Sequence, residues 1–212
     1  MKDLLLIDLD LTLLDTNQCG IYAYTRAFHM FNLPTPPTST LKSYFGMHGA
    51  EMIHHLFPGL DDHEVKKVYD YVQKLMLSTA LPYVKVFPGT KLALSKLTRQ
   101  YSLGIISNAE HDRILAYLKV VGIKKDLFEV IIGNDDVDHG KPWPDEIFKA
   151  EHLTRKDAKY IVGDSIYDMK AAKSANVKGI GVLTGNTSAY KLKQAGAWKI
   201  ISSIKDLPSL LL

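Results

Sequence analysis

LLLIDLDLT, residues 4–12, decides how the rest of the chain is read. A short, unbroken apolar run, Leu4 to Ile7, leads directly into Asp8 and Asp10, with Thr12 just beyond. Such a run, bounded by polar residues, is the pattern of a strand covered on both faces, which is a strand of a parallel sheet. Carboxylates placed immediately after it lie at its carboxyl end, where open parallel sheets bind their ligands.

The same pattern recurs downstream at residues 103–106, 130–132, 160–162 and 179–182, and a last short strand is expected near 198–201. Helix-compatible stretches at 91–99, 112–121, 145–152 and 167–175 fill the gaps. Strands alternating with helices require crossover connections, so the fold class is α/β with a mostly parallel sheet covered on both faces.

Residues 16–82 break the alternation. They contain no buried-strand pattern but read as helices at 21–31, 40–45, 50–56 and 62–79, punctuated by Pro34, Pro36, Pro37 and Pro58-Gly59. Asp61 or Asp62 is the expected N-cap of the last helix. The organisation expected is an α/β core of residues 1–15 and 83–212, with a small all-helical cap, 16–82, inserted after the first strand.

Composition sets the outer limits. A chain of 212 residues with 46% hydrophobic and 23% charged residues is long enough for one packed domain and a smaller insertion. A net charge of +3 with no basic run gives no footprint for nucleic acid. The lone Cys19 excludes an internal disulfide. No apolar segment approaches bilayer length and the N-terminal one is interrupted by acids, so neither a membrane partner nor a leader is expected, and a cytoplasmic location follows.

The polar residues that follow the expected strands form an ordered set. Asp8, Asp10 and Thr12 follow the first, Ser107 and Asn108 the second, Lys141 lies in the loop after the third, and Asp164 with Asp168 follows the fourth. Magnesium takes oxygen ligands, usually one or two carboxylates plus water and a substrate phosphate oxygen. Asp8, Asp164 and the backbone carbonyl of Asp10 are the candidate ligands. Lys141 supplies charge to offset a phosphate, and Thr12, Ser107 and Asn108 supply hydrogen-bond donors. A carboxylate attacking phosphorus yields an acyl phosphate and divides one difficult hydrolysis into two steps. Asp8 is placed to attack, and Asp10 to protonate the leaving oxygen and later activate water. Singly, each residue has an ordinary explanation as a turn, cap or loop lysine; their order after successive strands is what argues for chemistry.

That ordered set resembles the four motifs of the haloacid dehalogenase superfamily: Asp8 to Thr12, Ser107, Lys141, and Gly163-Asp164-Ser165 through Asp168. The helical insertion, with Val86 to Gly89 and Gly140 to Pro142, is similar to the subgroup of phosphoglycolate phosphatase and β-phosphoglucomutase. The resemblance implies a Rossmann-like core, a mobile cap, a Mg2+ cofactor, Asp8 as nucleophile, Asp10 as acid/base and Asp168 in a supporting role. It departs from the family at Leu11, where glycine is usual, so the turn is expected to be tighter or shifted.

A magnesium-dependent phosphatase acting on a small phosphorylated metabolite, phosphoglycolate-like, is therefore the expected function. A phosphomutase is the alternative, and it requires cap cations for a second phosphate, for which Arg26, Lys42, Lys66, Lys67 and Lys74 are candidates. A receiver-like signalling domain is more remote, since those domains are shorter and lack a cap, and so is a non-catalytic binding protein, since every motif acid is present. Gly46 to Gly49 is the cap stretch expected nearest the substrate, Cys19 reads as a buried thiol and Trp143 as a packing residue.

Overall fold

The computed structural model describes residues 2–212. Six parallel strands form the main sheet: β1 (Leu4–Ile7), β4 (Ser102–Ile106), β5 (Val130–Ile132), β6 (Ala158–Gly163), β7 (Lys178–Val182) and β8 (Lys199–Ile201). Their order is β5-β4-β1-β6-β7-β8. The remaining two strands, β2 (Leu14–Asp15) and β3 (Lys85–Val86), pair antiparallel with Leu14 opposite Val86.

The apolar run of β1 behaves as its sequence dictates. Leu4, Leu5, Leu6 and Ile7 are all fully buried. Alternate side chains point to opposite faces of a strand. Leu5 and Ile7 join one core cluster with Leu94, Leu97, Ile114 and Leu118, from α5 (Thr90–Leu97) and α6 (His111–Val120). Leu4 and Leu6 join the other with Ile147, Ala150, Ala171 and Ala172, from α7 (Asp145–Thr154) and α8 (Ile166–Ser174). The chain leaves β1 toward β4 and β5, then crosses back to β6, so connections diverge between β1 and β6. The crevice at that switch point, beyond the carboxyl ends, is the ligand position of open α/β sheets.

Four helices follow β2: α1 (Asn17–Met30), α2 (Thr38–Tyr44), α3 (Gly49–Leu56) and α4 (Asp62–Met76). Asp61 caps α4 through a reciprocal pair: the Glu64 amide donates to its carboxylate at 2.8 Å, and its own amide donates to Glu64 at 3.0 Å. Val65, Val68, Tyr69, Val72 and Met76 form the buried stripe of α4. The core cluster that starts at Leu5 continues through Tyr24, Phe28, Met52 and Val72, so the helical block shares its packing with one sheet face.

Several boundaries differ from expectation. α1 begins at Asn17 rather than residue 21, and α4 ends at Met76 rather than residue 79. The β2–β3 ribbon was not anticipated, because two-residue strands carry no readable periodicity. The short helices α9 (Ala189–Gln194) and α10 (Leu207–Leu211) escaped for the same reason. Among the described residues, no helix is long and apolar enough to cross a membrane.

Candidate active site

Lys141 organises the polar centre at the sheet's carboxyl end. Its side chain is 2% exposed, and Nζ donates to Asp8 Oδ1 and to Asp168 Oδ1, both at 2.7 Å. A third donation, 3.2 Å long, goes to the carbonyl of Ile106 at the end of β4. Burial works against the ammonium charge, but Asp168 and Asp8 outweigh it and hold the pKa well above the usual lysine value.

Each partner is fixed by the element that carries it. Asp8 follows β1 directly, and its amide donates to the Val162 carbonyl of β6 at 2.8 Å. Burial pushes the Asp8 carboxyl up to about 8, with Lys141 pulling in the opposite direction. Asp168 lies in the first turn of α8. Its Oδ2 accepts from the Ser165 amide at 3.0 Å and the Ser165 hydroxyl at 2.6 Å, in a reciprocal cap of that helix. Both Asp168 oxygens are thus engaged, which makes it an anchor for Lys141 and for the turn.

Asp8, Asp164 and Asp168 are buried, with ligand atoms within 4.8 Å of one another. Burial and then the charge of Asp8 push the Asp164 carboxyl well above the ordinary range. Fully ionised, the three carboxylates would exceed the single ammonium of Lys141 by two negative charges, a balance that a divalent cation displacing their protons would restore. Since Asp168 is committed to Lys141 and Ser165, Asp8 and Asp164 are the carboxylates best placed to serve such an ion.

A cavity of about 70 Å3 opens beside this centre, lined by Asp8, Asp10, Ser107, Asn108, Lys141 and Asp168 from the core. Tyr44, Phe45, Gly46, Met47 and Gly49 of the helical block close it from above. Asn108 ties the two parts together, donating to the Gly46 carbonyl at 2.8 Å and to the Lys141 carbonyl at 3.0 Å. The stretch from Gly46 to Gly49, expected to approach substrate, therefore does reach the cavity.

Two expected site residues stand behind the cavity wall. Thr12 is fully buried and its hydroxyl donates to Asp164 Oδ1 at 3.3 Å, so it orients that carboxylate and presents no donor to the cavity. Asp164 is itself covered by the loop after β7, where a Cβ on Gly185 would fall 1.7 Å from its Oδ2. The Ser107 hydroxyl accepts from the Ala109 amide at 3.2 Å.

Other expectations need correction. None of Arg26, Lys42, Lys66, Lys67 or Lys74 is among the cavity-lining residues, and Lys66 pairs with Asp70 on the outer face of α4. Trp143 is 60% exposed rather than packed. At the turn, Leu11 itself takes the left-handed conformation, φ +59°, that glycine adopts without cost. Cys19 is buried 3.1 Å from the Tyr117 hydroxyl, and burial pushes its thiol up to about 11.

Sequence reasoning missed Arg113 altogether. This residue of α6 lines the cavity, with Nη2 3.7 Å from Asp10 Oδ2. Its only signal was its proximity to Ser107 and Asn108, and a single arginine in a helix has many ordinary explanations.

A family model described as haloacid dehalogenase-like hydrolase matches residues 5–182. A pyrophosphatase PpaX from Listeria monocytogenes serotype 4b is 31% identical over 207 residues, covering 96% of this chain and 93% of its own. A plasmid-encoded phosphoglycolate phosphatase from Cupriavidus necator is 27% identical over 215 residues, covering 97% of this chain and 91% of its own. A solved structure from Bacteroides fragilis, provisionally designated a haloacid dehalogenase-like hydrolase, superimposes with a TM-score of 0.91 at 26% identity. It covers 98% of this chain and 100% of its own.

Proposed function

The chain belongs to the haloacid dehalogenase-like hydrolases, and from that premise we propose that it is a magnesium-dependent phosphatase of a small phosphorylated metabolite, working through an aspartyl phosphate on Asp8. The observation that carries this reading is the placement of Asp8 and Asp10 on one cavity with Lys141 locked 2.7 Å from Asp8.

In the first half-reaction a carboxylate oxygen of Asp8 attacks phosphorus, and the bond from phosphorus to the leaving oxygen breaks. Asp10 gives that oxygen its proton. In the second, Asp10 takes a proton from water as the water oxygen attacks the acyl phosphate, releasing inorganic phosphate and restoring Asp8. Lys141 holds Asp8 in position and offsets charge on the transferring phosphoryl group. Asp168 fixes Lys141, and Asn108 joins the helical block, acting as a cap over residues 16–82, to the core. Asp8, Asp164 and the Asp10 carbonyl would hold the magnesium ion, which when bound neutralises charge and polarises the phosphoryl oxygens.

Two names among the relatives bear on the substrate. A pyrophosphatase and a phosphoglycolate phosphatase both release an anion from phosphorus, which favours a phosphoglycolate-like compound as substrate. The phosphomutase alternative needs cationic groups from the cap to hold a second phosphate, and the candidate cap cations do not line the cavity.

The test is phosphate release from a panel of phosphorylated metabolites with and without magnesium, using Asp8→Asn as control. Magnesium-dependent release lost in the variant supports the reading. Interconversion of sugar phosphates without net release would assign a mutase, and release that survives in Asp8→Asn would remove the aspartyl phosphate.

A further inference from the structure

Arg113 has no task in the hydrolysis described above, yet the protein takes care to hold it. Its side chain is 11% exposed. Nη1 donates to Gln73 Oε1 at 3.1 Å and to Met76 Sδ at 2.9 Å, both on α4, and the guanidinium carbon lies 6.0 Å from the centre of the Tyr117 ring. Gln73 is itself held by a hydrogen bond to the Tyr69 hydroxyl. The guanidinium is therefore positioned by the helical block on one side and by its own helix on the other.

Its partners are poor for a group of this kind. A guanidinium carries five donors in a rigid fork, stays charged, and when buried normally meets a carboxylate or phosphate through two parallel bonds. Here the acceptors are a neutral amide and a thioether. The buried Nε has no acceptor among the described residues. The Asp10 carboxylate stands 3.7 Å from Nη2, beyond hydrogen-bonding distance. A buried donor without a partner is rare enough to need a reason, and the residue that carries it lines the cavity.

The position of Asp10 says which part of a substrate would meet that fork. Asp10 is the proposed proton donor to the leaving oxygen, so the leaving group must lie against it and hence against Arg113. Tyr24, Phe45, Met47 and Met52 of the helical block also line the cavity, and none of them carries a charge to compete with Arg113 for an anion. Arg113 Nη2 stands 3.7 Å from Asp10 Oδ2, so an anion that reaches the guanidinium sits within a few atoms of the bridging oxygen.

We propose that Arg113 binds an oxyanion carried by the leaving group, a carboxylate or a phosphate, and so selects substrates whose leaving group is itself anionic. The inference rests on the phosphatase reading. As the bond to phosphorus breaks, the leaving oxygen gains an electron pair and takes the Asp10 proton. An anion already present on that group opposes the build-up of charge, and the guanidinium offsets it.

The experiment compares matched substrates under magnesium: 2-phosphoglycolate against 2-phosphoglycolamide, and ethylene glycol bisphosphate against 2-methoxyethyl phosphate, each pair sharing an alkoxide leaving oxygen of similar basicity. Each is assayed on wild type, Arg113→Met and Arg113→Lys. The first pair identifies a carboxylate as the anion and the second a phosphate. In wild type the kcat/KM ratio within at least one pair is expected to reach about 100-fold or more in favour of the anion. In Arg113→Met that ratio should fall to within about threefold of unity whatever happens to the absolute rates, and Arg113→Lys should recover part of it. Should Arg113→Met not fold, Arg113→Lys carries the comparison, and its ratio should still fall well below that of wild type. Phosphate release without preference, or a preference that survives in Arg113→Met, overturns the inference and leaves the phosphatase reading intact. No release from any of these substrates overturns both.

Discussion

Leu11 sits at φ +59° and its carbonyl oxygen accepts the Thr184 hydroxyl at 2.6 Å, so the loop after β1 is fastened to the loop after β7 through a strained residue. A left-handed conformation costs a residue with a Cβ about 1–2 kcal/mol. The Leu11 side chain is 2% exposed, and its burial contributes about 1.5–3 kcal/mol. Leu11→Gly loses the burial and removes the strain, for a net destabilisation of about 1 kcal/mol. Leu11→Ala loses most of the burial and keeps the strain, so it should cost about 2 kcal/mol. Urea unfolding should therefore rank glycine above alanine here, the reverse of the usual order; alanine as the more stable variant would contradict the strain argument.

Lys141 is the counter-charge for two buried carboxylates. Lys141→Met preserves most of the volume but leaves Asp8 and Asp168 facing each other unpaired. Removing one partner of a buried ion pair typically costs about 3–5 kcal/mol. The penalty should be larger near pH 9, where Asp8 is ionised, than near pH 6, where it holds a proton. Phosphate release should be lost at both. Unfolding measured at the two pH values checks this, and an equal penalty at each would mean the ammonium does not compensate those charges.

Gly185 makes room for the Asp164 carboxylate. A Cβ there would lie 1.7 Å from Oδ2, so Gly185→Ala must displace either the carboxylate or the loop. Disturbing the groups that orient a metal ligand usually lowers affinity about 10–100-fold. Titration calorimetry with magnesium should show a loss of that size while the circular dichroism spectrum is retained. Unchanged affinity would take Asp164 out of the ligand set.

The parts of this protein that were legible in its sequence are those with strong periodicity or with chemistry tied to a strand end. β1 and β5 match the expected spans because Leu4 to Ile7 and Val130 to Ile132 are apolar runs ended by polar residues or glycine. Asp8, Ser107, Asn108 and Lys141 could be placed on one site because parallel strands bring their carboxyl ends together. Thr12 and Arg113 could not be resolved in this way. The direction of a hydroxyl toward Asp164, or of a guanidinium toward Gln73, depends on packing between segments far apart in the chain. The cap cations failed for a related reason: helical periodicity tells which residues share a face but not what that face meets.

Glu146 gives the clearest pH test. It is fully buried on α7, and both carboxylate oxygens lack a hydrogen-bond partner among the described residues. Burial pushes its carboxyl up to about 7 from an ordinary 4.5, with the Lys141 ammonium opposing and the Asp168 charge adding. Between those values the folded protein keeps a proton that the unfolded chain has released. Stability is therefore greatest below pH 4.5 as far as this group is concerned, and it declines as pH rises until the folded carboxyl ionises near 7. The gap corresponds to roughly 3 kcal/mol. Asp8 titrates in the same direction, so the variant must be compared with wild type at each pH. Glu146→Gln keeps the shape and removes the charge. It should match wild type near pH 4 and exceed it by up to about 3 kcal/mol near pH 8, measured by urea unfolding. A difference that does not change with pH would mean that Glu146 is ionised in the fold throughout, held by Lys141 more strongly than burial opposes.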